Sequence, residues 1–338
     1  MNLKEVSIKA KELMMPQCRM CPECNGVACR GEVPGMGGKG TGSSFMNNYN
    51  ELKKITLNMK SMHEVKEPDT TAEFFGIRMP FPVFPAPVTG VAINMGNQMT
   101  EREYITGLIE GSRDSGIVPM VGDSAFKSFI EENISVLKEK KVKGIVFIKP
   151  WDNEELLSRI DLAMESDPIA IGVDIDSCGL DTLKMHGHRV DPKTLDDLKE
   201  IKAALTVPFI IKGIMTPCEA LLAVQAGADA IVVSNHGGRV LDSTPATCSV
   251  LSAIAEVVKG KTAIFVDGGV RSGVDVFKML ALGADGVLIG RPFAQYAIGG
   301  GSEGVSLYAE KIRSELRGAM LLTGSKDIAS IQESSINY

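Results

Sequence analysis

The stretch Ser234-Asn235-His236-Gly237-Gly238-Arg239 follows the apolar run Ala230-Ile231-Val232-Val233, so a candidate base and a fixed cation stand at the end of a candidate buried strand. Histidine is the side chain best poised to take a proton near neutral pH, an assistance on the order of 10²–10⁴ in rate. An arginine three residues later can hold a carboxylate through two parallel hydrogen bonds. Of the four histidines in the chain, only His236 sits at such an end beside glycines and an arginine, which separates it from an ordinary core histidine.

Two later strand ends suit an anion. One reads Val266-Asp267-Gly268-Gly269-Val270-Arg271, the other Leu288-Ile289-Gly290-Arg291-Pro292. Glycines let backbone N–H groups approach a phosphate, a following helix adds the positive end of its dipole, and Arg271 and Arg291 add charge. Tight turns alone are the plainer reading, but two consecutive glycine-plus-arginine ends favour phosphate, the more so after the last two strands of a parallel barrel.

The elements that must position these residues follow one grammar from residue 81 onward: a short apolar run, a polar or glycine-marked end, then a helical stretch. The runs cover 81–87, 117–123, 144–150, 170–176, 208–214, 230–236, 263–269 and 286–290. Eight strand–helix units predict an α/β fold, a (β/α)8 TIM barrel with its chemistry at the C-terminal strand ends. The rival, a doubly wound open sheet, places a glycine fingerprint directly after its first strand, and residues 81–90 contain none. Residues 1–80, with an opening helix and a glycine-rich stretch at 35–44, are poor in apolar periodicity. They are expected to cap one end of a barrel that spans 81–338.

Composition narrows the function classes. The chain has 338 residues, 44% hydrophobic and 23% charged, with a net charge of −6, and it lacks a basic block interleaved with aromatics, which argues against nucleic acid. No apolar run approaches the ~18 residues of a membrane span, and the N-terminus lacks the apolar core of a secretory signal. A cytoplasmic protein is expected.

Four of the seven cysteines, Cys18, Cys21, Cys24 and Cys29, are spaced C-x2-C-x2-C-x4-C. That density suits an iron–sulfur cluster or a zinc ion; thiol–disulfide chemistry and no ligand at all are the other readings.

The residues Pro208-Phe209-Ile210-Ile211-Lys212-Gly213, Ser234 through Arg239, Pro245-Ala246-Thr247, and Asp267 through Arg271 with Ile289-Gly290-Arg291-Pro292 resemble the FMN-dependent 2-hydroxy-acid oxidases and dehydrogenases, among them glycolate oxidase and lactate oxidase. The resemblance is dense over roughly 190–330 and weak before 80. It implies FMN, with Lys212 at the N1/O2 edge of the ring, Ser234 against the flavin, and Asp267, Gly268, Gly269, Arg271, Gly290 and Arg291 around the ribityl chain and phosphate. Ala86, Pro87 and Val88 would line the ring. His236 would be the base, Asp174 its carboxylate partner, and Arg239 the clamp on the carboxylate of a small 2-hydroxy acid. A homo-oligomer, tetramer or octamer, is implied as well; the electron acceptor stays open.

The chain also departs from that pattern. Phe147-Ile148-Lys149 stands where the family has Gln-x-Tyr, and Gly172 where it has threonine. The second substrate arginine is missing, with Lys149 or Arg189 as the stand-ins. These changes keep two rivals open: a non-catalytic or electron-relay FMN protein, and another flavin or phosphate barrel such as a type 2 isopentenyl diphosphate isomerase.

Overall fold

Strands buried on both faces read as unbroken apolar runs instead of alternating ones, and such runs form the centre of the molecule. In a computed structural model that describes every residue except Asn97 and Arg189, eight of them are strands: β1 (Val83–Pro85), β2 (Met120–Val121), β3 (Ile145–Ile148), β4 (Ala170–Asp174), β5 (Phe209–Ile214), β6 (Ala230–Val233), β7 (Ala263–Val266) and β8 (Gly286–Ile289). Sequential neighbours from β2 to β8 pair in parallel, and β8 returns to pair with β1. Only the β1–β2 seam lacks paired residues among those described. The expected TIM barrel is present, with every expected strand in its place and each shorter than its apolar run.

Two departures from the family pattern have one physical cause. Phe147 on β3 and Gly172 on β4 are register partners. The phenyl ring is fully buried and occupies the space a side chain at 172 would need: a Cβ there would lie 2.3 Å from Phe147 Cε1. A large residue on one strand therefore requires none on the next.

The N-terminal segment touches both ends of the barrel, not one. Helix α1 (Leu3–Met14) opens with an Asn2 capping box and crosses the long C-terminal helix α3 (Arg291–Thr323) so closely that a Cβ at Gly299 would meet the Val6 carbonyl at 2.2 Å. Helix α2 (Ser43–Lys54) lies over the C-terminal strand ends, where Asn48 exchanges amide hydrogen bonds with Asn235 at 2.7 and 3.2 Å. At the opposite end, the two-stranded hairpin of Ala72–Phe74 and Ile77–Met79 presses Phe74 against Phe84 and Phe265, with centroids 5.4 and 5.1 Å apart. Ala10, Met14 and Leu52 belong to the same apolar core as the barrel. Among the described residues, no helix is long and apolar enough to cross a membrane.

Because Phe147 fills the place of a side chain at 172, Gly172→Ala is expected to cost about 1–3 kcal/mol by overpacking. A second change, Phe147→Leu, should recover part of the loss, and urea unfolding of the single and double variants measures both effects.

Candidate active site

A cleft opens at the C-terminal ends of the strands, its space amounting to about 1010 Å³ when counted out into open solvent. Parallel register sets its charged centre: Asp174, the last residue of β4, pairs in register with Lys212 on β5. Lys212 Nζ lies 3.2 Å from Asp174 Oδ1, near enough for charge but not aligned as a hydrogen bond, and 3.9 Å from Asp267 Oδ2. Burial works to discharge the ammonium, but Asp174, Asp176 and Asp267 outweigh it and hold the Lys212 pKa above the ordinary lysine range. Lys212 is therefore a permanent cation.

His236 is expected to pair with Asp174, and the structure corrects that partner. Its Nδ1 faces Asp176 Oδ1 at 3.1 Å, while Asp174 Oδ2 takes the Lys149 ammonium at 2.7 Å. Burial pushes Asp174 up, but Lys149 and Lys212 more than reverse this and leave it well below the usual carboxylate range. Asp176 reaches His236 because Gly213, at φ 111° between Lys212 and Ile214, has no side chain: a Cβ there would sit 2.6 Å from Asp176 Cβ. With Asp176 accepting, the proton is assigned to Nδ1 and Nε2 is left as the base. The imidazole is held at left-handed φ 56°, followed by Gly237 and Gly238 at 62° and 79°; this tight turn needs the two glycines.

Burial first, and the Lys212 charge second, push the His236 pKa down to about 4, although Asp176 pulls the other way. The imidazole is thus neutral and able to accept a proton at pH 7. Asp174, Asp176 and His236 also bring ligand atoms within 4.8 Å of one another, the spacing of a cation site. Lys149 and Lys212 already neutralise Asp174, however, so a divalent ion there would face two buried ammonium groups.

The other expected residues divide into three sets. Ala86, Pro87, Val88, Asp267, Gly268, Gly269, Arg271, Gly290 and Arg291 all border the cleft. Ser234 is buried beneath it, donating to Asp267 Oδ2 at 2.9 Å and accepting the His236 N–H at 3.0 Å. Arg239 and Lys149 border it too, but with their hydrogen-bonding groups engaged: Arg239 donates to the Gly35 carbonyl and to Asn94 Oδ1, and Lys149 is buried against Asp174 and Ser177, without the solvent exposure of a snorkelling strand-end lysine. Two of the five guanidinium donors of Arg239 are used, leaving three. Burial, aided by Arg291, brings its pKa down to about 9, so it stays charged at neutral pH. Arg189 lies outside the described residues.

The glycines differ in purpose. A Cβ at Gly269 would lie 2.1 Å from the Asn48 carbonyl, so this residue is small to admit α2. At Gly290 the nearest atom is 3.6 Å away, and its open face belongs to the cleft.

Sequence reasoning missed Asp176, Asn48, Asn94 and Asp123. Asp176 was legible as a second carboxylate two residues after the strand-end aspartate. Asp123 proves structural, tying the end of β2 to Arg159 at 2.5 Å and to the Trp151 N–H at 2.6 Å. Asn48 and Asn94 act across long sequence separations and carry no local signal.

A parallel barrel with a histidine–carboxylate pair, a buried lysine and arginines around one cleft at its strand ends sets a base and fixed positive charge about a single space. The FMN-dependent dehydrogenase family model matches residues 35–182 and 180–338, and the chain belongs to that family. A 2-hydroxyacid oxidase of Dictyostelium discoideum is 48% identical over 148 residues, which are 44% of this chain and 38% of that protein. The matched stretch thus spans about two fifths of the first curated relatives. An L-lactate oxidase of Lactobacillus jensenii is 28% identical over 87% of this chain and 78% of its own length. A crystal structure of mandelate oxidase superimposes with a TM-score of 0.79 at 26% identity, covering 99% of this chain and 98% of that one.

FMN fits the cleft on grounds of its own. Arg271 and Arg291 border one part, Lys212 and His236 another, and buried Asp267 Oδ1 lacks a protein partner. Burial pushes Asp267 up to about 6, opposite in sign to His236. Unfolded, His236 binds its proton below about 6.5; folded, only below about 4. Its contribution to stability is therefore lost as pH falls through that window, while that of Asp267 is lost as pH rises through nearly the same window. Asp267→Asn removes that carboxylate's contribution, so the variant's stability relative to the parent protein is expected to rise with pH between about 4 and 6 by up to about 1.4 kcal/mol per unit. Urea midpoints across that range measure the slope.

Proposed function

We propose that the chain oxidises a small 2-hydroxy acid to the 2-oxo acid with FMN bound in the strand-end cleft. The observation that carries the reading is the neutral His236, oriented by Asp176 and set against the permanently charged Lys212. FMN, when bound, supplies the acceptor for the two electrons that leave the substrate carbon.

His236 Nε2 takes the substrate proton. Asp176 keeps the Nδ1 proton in place and balances the imidazolium that forms. Lys212 would hold fixed positive charge beside the cofactor, the preorganised kind of stabilisation that costs no rearrangement during reaction. Arg239, through its remaining donors, binds the substrate carboxylate, with Arg189 as its second candidate contact. Lys149 serves the substrate side indirectly, by holding Asp174. The cofactor would be held by Ala86, Pro87, Val88 and Ser234 along the ring, and by Asp267, Gly268, Gly269, Arg271, Gly290 and Arg291 toward the phosphate.

In this reading residues 1–80 are the cap and 81–338 the catalytic barrel. Cys18, Cys21, Cys24 and Cys29 hold a metal centre, iron–sulfur or zinc, that passes electrons onward or braces the cap. A cytoplasmic homo-oligomer, tetramer or octamer, agrees with the family resemblance, and light scattering of the purified protein checks the assembly.

Anaerobic titration of the FMN-loaded protein with a panel of 2-hydroxy acids tests the chemistry: at least one should bleach the oxidised flavin absorbance. His236→Ala should keep FMN and slow that bleaching by about 10²–10⁴. Silence of the wild-type protein across the panel would favour an electron-relay protein. Gly213→Ala should also slow the reaction by displacing Asp176, and Asp176→Asn should reproduce the effect without touching the backbone.

A further inference from the structure

The four clustered thiols line a second cavity beside the first, about 400 Å³ when counted out into open solvent, with Met36 and Arg291 bordering both. All four are free; Cys18 is buried and Cys21, Cys24 and Cys29 are half-buried. Around a zinc ion, bonds of about 2.3 Å would bring tetrahedral sulfurs to about 3.8 Å from one another. No three of these sulfurs converge even to 4.8 Å among the described residues, where the strand-end group of Asp174, Asp176 and His236 does. The thiols surround a space instead of meeting at a point.

Donors stand within reach of two of the sulfurs. Gln295 Nε2, buried on α3, stands 3.4 Å from Cys18 Sγ. Arg271 Nη2 stands 3.6 Å from Cys24 Sγ and 2.9 Å from the Cys24 carbonyl. Four thiolates would add four negative charges to this pocket, which requires both a cationic centre and the two guanidinium groups beside it.

We infer that Cys18, Cys21, Cys24 and Cys29 ligate a polynuclear iron–sulfur cluster of the four-iron class, and not a single zinc ion. A cubane holds its four thiolates apart around a body of iron and sulfide, as this cavity does, and N–H groups pointing at cysteine sulfur tune the potential of such clusters. This narrows the metal centre of the preceding reading and does not depend on the hydroxy-acid chemistry. Flavin bleaching by substrate and iron at the cysteines are separate measurements, so either can fail alone.

The test is reconstitution of the full-length protein with ferrous iron and sulfide under anaerobic conditions. The expected result is about four iron and four sulfide per chain, a broad visible absorbance beyond that of flavin, and a paramagnetic signal after reduction by dithionite. Cys24→Ser should lower the iron bound several-fold, whereas Cys218→Ser, at the exposed lone cysteine, should leave it unchanged. Protein that takes up less than one iron per chain, or that holds one zinc per chain which iron and sulfide do not displace, would overturn the assignment. The wild-type measurement decides the matter even if the Cys24 variant does not fold.

Discussion

A buried ammonium needs anionic neighbours, and Lys212 recruits three of them from two strand ends. Asp174 comes from β4, Asp176 from the turn after it, and Asp267 from the end of β7. Breaking such a group by removing one partner commonly costs about 3–5 kcal/mol, so the strand ends are locked together by charge as well as by the ladder. The same cation depresses the basicity of His236, and Asp176, which faces both groups, fixes the tautomer of that histidine. One charge therefore sets both the rigidity of the barrel mouth and the protonation state of its base.

The second lysine extends this arrangement. By pairing with Asp174, Lys149 removes that carboxylate from the histidine, and Asp176 takes the place beside the imidazole. Phe147, two residues before Lys149 on the same strand, fills the space that Gly172 leaves. The substitutions in this half of the site form a connected set in which β3 supplies bulk and charge while β4 yields room.

Much of the architecture could be read from the chain. Eight apolar runs with polar ends gave eight strands, because strands buried on both faces need continuous hydrophobicity and little else. His236, Lys212, Asp267 and the glycine–arginine ends were legible for the same reason, since each lies within a few residues of a strand terminus. What escaped were relations between distant segments. The choice of Asp176 over Asp174 depends on where the Lys149 side chain ends, and the role of Gly269 depends on Asn48 arriving from α2. The hydrogen bonds that occupy Arg239 come from Gly35 and Asn94, and no local pattern announces them.

The N-terminal segment supplies most of the lining of the cysteine cavity and, through Met36, one residue of the strand-end cleft. Arg291 reaches the carbonyls of Met36 and Gly37 across separations of 255 and 254 residues, and Arg271 reaches Cys24 across 247. A chain made from its N-terminus therefore carries the cysteine loop and α2 as unpartnered surface until the last strand and the start of α3 have emerged. Neither cavity has its full lining until Arg291 and Gln295 have been made.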